Sequence, residues 1–169
     1  MRHESANLST PVAGILLAAL AGEAMGTQTC SVTVGALAFG AYAGSQVNSS
    51  ATMTVSCTRT ILDFSTVTYT ASLSTGSSGS YAQRRLTRAG LPADTLNYNL
   101  YLTTVPGVLN TSVWGDGTGG TVVASGSIAP VVLNFTQTRT HTVAGAIAAG
   151  VVPTAGTYSD TIVATLIYN

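Results

Sequence analysis

Short segments in which apolar and polar residues alternate dominate the chain from residue 30 to its end. In Ala51–Cys57, for example, Met53, Val55 and Cys57 share one face of an extended strand. Clusters of Gly, Ser, Asn and Pro separate these segments, a pattern typical of an all-β sandwich. The predicted strands are Cys30–Val34 with a continuation through Phe39, Ala51–Cys57, Val67–Leu73, Leu96–Leu102, Thr121–Ala124, Val131–Phe135, His141–Ile147 and Tyr158–Tyr168. No helix of ordinary length is expected after residue 27.

The last predicted strand differs from the others because both of its faces are largely apolar. Ile162, Ala164, Leu166 and Tyr168 alternate with Thr161, Val163, Thr165 and Ile167. A strand that is apolar on both sides is expected to be buried in a sandwich or covered by a partner.

The N-terminal segment is interpreted as a signal peptide. Val12–Ala21 is a ten-residue apolar run, which is shorter than the roughly 20 residues that span a bilayer but typical of a signal-peptide core. Small residues permit cleavage before Met25 or before Thr27. Residues 1–26 are therefore predicted to be removed and residues 27–169 to form one domain. The alternative is a buried core helix, although no amphipathic pattern continues from the run.

The two cysteines, Cys30 and Cys57, both lie in the predicted mature domain. An even number of cysteines in an exported chain predicts one disulfide. Two thiols cannot form a structural zinc site by themselves, and His3 and His141 do not supply ligand spacing. Neither a metal nor a cofactor is expected.

Charge is scarce, because only 7% of the residues are charged and six acidic residues balance six basic ones, all of them Arg. A nucleic-acid partner would require a basic face, so this class is excluded. The concentrated charge at Arg84, Arg85 and Arg88 is interpreted as a solvated loop. The alternative is a contact for an anion or a glycan.

Residue types that serve in active sites are present without the surrounding motifs. The Gly115–Gly120 segment contains Asp116 and is interpreted as a turn, the alternative being a ligand-binding loop; a phosphate-binding P-loop would need Lys, which the chain lacks. His141 and Asp160 accompany many serines, but no nucleophile elbow surrounds any of them. We expect that the protein is not an enzyme.

Several apolar and aromatic groups allow two interpretations. Trp114 and the tyrosines are either core residues or exposed recognition groups, and core is favoured. The apolar stretches Val105–Leu109 and Val151–Pro153 are either exposed fingers that attach to surfaces or buried ends of the sandwich.

From Cys30 to Asn169 the chain resembles the spore coat protein U domain family, which includes the pilins of archaic chaperone–usher pili. The matching pieces are Cys30, Leu37–Tyr42, Val55–Thr58, Leu73–Gly76, Arg84–Leu86, Leu96–Tyr101, Val113–Thr118, Ala155–Thr161 and Tyr168. Their order and spacing cover almost the whole predicted mature chain. The residues expected to carry the family's structural motif are Phe39, Gly40, Tyr98, Tyr101, Trp114, Gly115, Asp116, Gly117, Gly156, Tyr158 and Asp160.

The resemblance implies an immunoglobulin-like sandwich that lacks its final strand. In such pilins a periplasmic chaperone lends a strand, and a neighbouring subunit replaces it by β-strand addition during assembly at an outer-membrane usher. The implied partners are thus this chaperone, the usher and other pilin subunits, and the implied destination is the cell surface, a fimbrium or a spore coat. The mature chain is expected to have no membrane span. The groove and the chaperone contact are expected along Ile162, Ala164, Leu166 and Tyr168.

The chain departs from the pilin pattern at its N-terminus. A donor strand needs roughly ten extended residues, yet cleavage before Met25 or Thr27 leaves few residues ahead of Cys30. The subunit is therefore expected to accept a strand without donating one, as a tip or initiating subunit of a pilus or as a coat protein. A different function, that of a single-domain adhesin that binds a glycan or an apolar surface, remains the alternative.

Overall fold

A computed structural model describes residues 2–10, 19–20, 28–59, 65–103, 112–129 and 135–169. The described residues form ten β-strands and one three-residue 3-10 helix, Gly76–Ser78. The strands are β1 Arg2–Thr10, β2 Ala19–Leu20, β3 Gln28–Val34, β4 Val47–Arg59, β5 Val67–Leu73, β6 Arg84–Arg88, β7 Leu91–Thr103, β8 Ala124–Ile128, β9 Phe135–Ile147 and β10 Tyr158–Tyr168. The all-β prediction is confirmed.

The strands pair in two layers that β10 connects. One layer has the order β3–β4–β9–β7–β6, and the other has the order β8–β5–β10–β1–β2. Every pairing between these strands is antiparallel. The start of β10, Tyr158–Ser159, pairs with β6, whereas Ala164–Tyr168 pairs with β5. The arrangement is an immunoglobulin-like sandwich in which one strand contributes to both layers.

The core lies between the layers because the strands bury alternate residues. On β5 and β10 every second side chain is buried, from Val67 to Leu73 and from Tyr158 to Tyr168. Val32 and Val55 meet them from the facing layer. This spacing of two residues is the period of a strand with one face on the core.

Several predicted strands are confirmed, two of them with the predicted bounds: Val67–Leu73 and Tyr158–Tyr168. Three others are longer than the pattern indicated. Ala51–Cys57 lies within β4, Leu96–Leu102 within β7 and His141–Ile147 within β9.

Other strand predictions need correction. The continuation of the first strand to Phe39 is wrong: β3 ends at Val34, and the chain continues as a loop that buries Leu37. The prediction for Thr121–Ala124 is displaced, because the strand there is Ala124–Ile128 and Val122 makes only an isolated bridge with Trp114. Of the predicted strand Val131–Phe135, residues 131–134 lie outside the described residues.

The predicted disulfide is confirmed. Cys30 on β3 and Cys57 on β4 lie directly opposite each other and are joined through their sulfur atoms at 2.02 Å. The bond ties β3, which pairs with β4 on one side, to a strand in the interior of its layer. Within the described part of the chain, none of the elements is a helix long and apolar enough to cross a membrane.

Candidate strand-acceptor site

The candidate site is one edge of β10. Residues Ala164–Tyr168 pair with β5, and residues Asp160–Tyr168 also pair with β1. Because a strand has only two hydrogen-bonding edges, β5 and β1 must lie on opposite edges of β10. We call the edge along Asp160–Tyr168 that pairs with β1 the acceptor edge.

The acceptor edge borders the gap between the two layers. β3 is the last strand of the facing layer, and it contacts both β10 and β1. At the end of β10, the side-chain amide of Gln28 on β3 donates a hydrogen bond to the backbone carbonyl of Asn169. The strand that pairs with the acceptor edge, β1, therefore also lies next to β3.

The four residues predicted to line the groove face the core beside this edge. Ile162, Ala164, Leu166 and Tyr168 are 3%, 0%, 0% and 4% exposed. Their neighbours on the opposite face, Val163, Thr165 and Ile167, are half-buried. Core-facing side chains of a strand on the acceptor edge would therefore lie beside Ile162, Ala164, Leu166 and Tyr168.

A buried hydrogen-bond network fixes the start of β10. The Tyr98 hydroxyl donates to Asp160 Oδ2 at 2.7 Å, and the backbone N–H of Ser77 donates to Asp160 Oδ1 at 2.9 Å. Burial, together with the nearby Asp160 carboxylate, raises the pKa of Tyr98. Gly76 has a φ of 67°, and a Cβ at this position would overlap the Asp160 carboxylate. The motif residues Tyr98 and Asp160 therefore position the acceptor edge.

Arg84 belongs to the core, so its interpretation as part of a solvated loop is wrong. It lies on β6 and is 0% exposed. Its guanidinium donates to the Ser74 carbonyl at 2.8 and 3.0 Å, to the Trp114 carbonyl at 2.7 Å and to Asn99 Oδ1 at 2.7 Å. Burial lowers the pKa of Arg84. Two backbone carbonyls and one side-chain amide oxygen satisfy these donors and tie three separate parts of the chain to β6.

The other two arginines of the cluster behave differently. Arg85 is exposed, as predicted for a solvated residue, but it lies on strand β6 and not in a loop. Arg88 forms an ion pair with Asp94 at 3.1 Å and donates to the Ala155 carbonyl at 2.7 Å. Gly156 follows directly, and a side chain there would overlap the Arg88 side chain.

Trp114 and its neighbours form a structural corner. The Trp114 side chain is fully buried, and its indole N–H donates to the Ala71 carbonyl at 3.0 Å, so the core interpretation is confirmed for Trp114. Asp116 Oδ1 accepts from the Thr118 N–H at 2.9 Å, and Gly117 has a φ of 86°. This hydrogen bond is typical of an Asx-type turn, and the predicted turn is confirmed. Gly115 is buried, and Tyr101 bridges to the adjoining Val113.

The remaining motif residues lie at one end of the sandwich. The Phe39 and Tyr98 rings meet edge to face with centroids 5.8 Å apart, and Gly40 follows with a φ of 74°. Buried Tyr158 donates its hydroxyl to the Thr154 carbonyl at 2.9 Å. Nearby, Val151 and Val152 are 90% and 59% exposed, so burial is the wrong alternative for them. Val105–Leu109 lies outside the described residues.

His141 and Asp160 have separate partners. His141 Nε2 lies 2.9 Å from the Tyr69 hydroxyl, and its ring also meets Trp114 edge to face. Asp160 bonds to Tyr98 instead. The two residues that suggested a triad in sequence thus serve different interactions in the fold.

Burial lowers the pKa of His141 below its ordinary value. Near pH 6.5 the unfolded chain takes up a proton that the folded chain resists. The free energy of unfolding should therefore fall as the pH decreases through about 6.5, and His141→Gln should weaken this dependence. Urea unfolding of the wild type and of His141→Gln at about pH 7.5 and about pH 5.5 measures the change in the free energy of unfolding. An equal decrease of this free energy in the two proteins would contradict the prediction.

Comparison with known families identifies the chain. The sequence profile described as the Spore Coat Protein U domain matches residues 16–165. The chain belongs to the Spore Coat Protein U domain family. As a spore coat protein U domain it belongs to a family of structural subunits of surface assemblies. The match begins within the apolar run Val12–Ala21 and ends inside β10. No individual curated protein shows significant similarity to the chain.

The sequence did not single out every residue that builds this site. Gly76 and Ser77 hold the Asp160 carboxylate, and Arg84 anchors the neighbouring loops. The burial of Arg84 could have been predicted from the sequence, because Arg84 and Leu86 are two residues apart and therefore share one face of a strand. No local pattern indicated that β1 is a strand, because Arg2–Thr10 lacks a sustained apolar alternation.

Proposed function

We propose that this protein is a structural subunit of a secreted bacterial surface assembly, built by strand addition at the acceptor edge of β10. The observation that supports the proposal most directly is the long backbone edge at Asp160–Tyr168, which accepts an antiparallel strand between the two layers. In strand addition, main-chain hydrogen bonds supply affinity, and alternate side chains supply specificity. The buried row Ile162, Ala164, Leu166 and Tyr168 offers that alternation.

In the proposed pathway residues 1–26 direct export and are removed. A periplasmic chaperone then covers the acceptor edge, and a strand from another subunit replaces the chaperone at the usher. The short segment left ahead of Cys30 favours a subunit that accepts a strand without donating one, which suits the tip or the initiating position of a pilus. A spore coat that assembles by the same strand exchange is the related alternative.

The first test is production of the full chain in a bacterial periplasm together with a pilus chaperone. We expect a chain that begins at Met25 or Thr27, is two hydrogens lighter than its reduced form, and co-purifies with the chaperone. Leu166→Asp should abolish co-purification because it places a charge beside the inserted strand. Intact mass and the recovered chaperone-to-subunit ratio are the measurements.

Two variants control this test. Ile167→Asp lies on the opposite face of β10 and should leave co-purification unchanged, whereas Leu166→Ala should weaken it in a chain that circular dichroism shows to be folded. A processed wild-type chain that stays monomeric without a chaperone would contradict the proposal.

A second candidate is a binding module that attaches to apolar material, and the exposed pair Val151 and Val152 favours it. An apolar cleft of about 410 Å³ lies beside this loop and is lined by residues that include Leu37, Phe39 and Ile147. Saturable ligand binding by the folded monomer, lost in a Val151→Ser and Val152→Ser variant, would favour this function over strand-mediated assembly.

A further inference from the structure

The chain's own N-terminal segment lies on the acceptor edge. All nine residues of β1 pair with β10, from Arg2 opposite Tyr168 to Thr10 opposite Asp160. β2 then pairs with the middle of β1, at Ser5 and Ala6. The N-terminal segment thus covers the whole length of the edge that an incoming strand would need.

Occupation by β1 excludes any other strand. Each backbone N–H and C=O on the acceptor edge can pair with one neighbouring strand at a time. β1 also contacts β3, the last strand of the facing layer, so it fills the gap between the layers as well. A second strand can enter only after β1 has left.

The sequence of β1 fits this place incompletely. In register, Ala6 and Leu8 lie opposite the core-facing residues Ala164 and Ile162. Arg2 and Glu4, however, fall opposite Tyr168 and Leu166. A charged residue is less favourable than an apolar one at a register position opposite an apolar row, because a charge is costly to desolvate. The sequence of β1 is therefore less suited to this edge than a fully apolar alternation would be, which is consistent with a strand that is later replaced.

We infer that Arg2–Thr10 acts as an intramolecular placeholder: while it remains attached it occupies the acceptor edge, and removal of residues 1–26 makes that edge available to a strand from another protein. The second half of this inference rests on the proposed function; the first half does not. Proteolytic release of a segment would then connect processing to assembly.

Register-specific cross-linking tests the placeholder in the full chain with residues 1–26 retained. Ser5 lies directly opposite Thr165, at a separation that suits a disulfide. Asn7 pairs with Val163, so it lies diagonally from Thr165, at roughly 7–8 Å. After oxidation, the Ser5→Cys and Thr165→Cys variant should form the intrachain bond at least tenfold more than the matched Asn7→Cys and Thr165→Cys variant. Mass spectrometry of an unreduced digest measures both bonds.

The cross-linked chain then tests strand exchange. The probe is a labelled peptide with the sequence of residues 2–10 that carries the substitutions Arg2→Val and Glu4→Val. The wild-type full chain should take up this peptide slowly, and a chain cut after residue 26 should take it up rapidly. The cross-linked chain should take up the peptide at a rate at least tenfold lower than that of the wild-type full chain.

The outcomes separate the two ideas. Equal cross-linking in the two cysteine pairs, or none in either, would overturn the placeholder. Register-specific cross-linking without peptide uptake by the cut chain would support the placeholder and contradict strand acceptance, which is the proposed function. Peptide uptake by the cross-linked chain equal to wild type would overturn the claim that β1 blocks the edge.

Discussion

The Arg84→Ala variant is expected to lose at least about 3 kcal/mol of its free energy of unfolding. The substitution removes hydrogen bonds to the carbonyls of Ser74 and Trp114 and to the side chain of Asn99. These acceptors are buried or part-buried and would lose a charged donor, a kind of bond whose loss costs about 1.5–3 kcal/mol each. Urea denaturation of the full chain, followed by tryptophan fluorescence, measures the loss.

Arg85→Ala is the matched control because its side chain is exposed on the same strand. It should change the free energy of unfolding by less than about 0.5 kcal/mol. Arg84→Lys should recover only part of the loss, since an ammonium group lacks the planar fork that reaches several carbonyls at once. Similar stabilities for the two alanine variants would show that Arg84 is not an anchor.

The Cys30→Ser and Cys57→Ser double variant is expected to lose about 3.5 kcal/mol, the chain-entropy value for a loop of this length. The cross-link joins residues 27 positions apart and restricts the unfolded chain. A typical domain is stable by only about 5–15 kcal/mol, so the loss should also reduce the yield of folded protein. Denaturation midpoints of the oxidised wild type and the double variant measure the effect.

The adjacent register pair provides the control. Thr29 and Thr58 lie next to the two cysteines on the same strands and are exposed. A Thr29→Ser and Thr58→Ser variant should therefore retain nearly all of the wild-type stability. An unchanged midpoint in the cysteine double variant would contradict a stabilising role for the disulfide.

The sequence predicted the fold wherever one face of a strand is apolar. Val67–Leu73 alternates without interruption, Tyr158–Tyr168 carries an apolar row from Ile162 to Tyr168, and the bounds of both strands are correct. The first half of β9 was missed because Thr136, Gln137 and Thr138 show no apolar alternation. Pairing with β4 along its whole length forms this part of the strand instead. Such long-range register is not visible in a local pattern.

The candidate site was only partly predictable for the same reason. The buried row on β10 follows from its alternation, but the identity of the strand on its other edge depends on tertiary pairing. Arg84 was misjudged because a charged residue is seldom fully buried. Three acceptors from separate parts of the chain make its burial favourable, and they come together only in the folded protein.

The position of the disulfide has a mechanical consequence. If a load pulls on the chain just ahead of β3, it acts first on the pair Gln28 and Arg59 and would peel β3 away from β4 one residue at a time. Only Gln28 and Thr29 precede Cys30 on this strand. The covalent bond therefore stops the peeling after two residue pairs and transfers the force to β4, which is held between two neighbours. A domain tethered through this end would resist tension as a whole sheet and would not unravel from its edge.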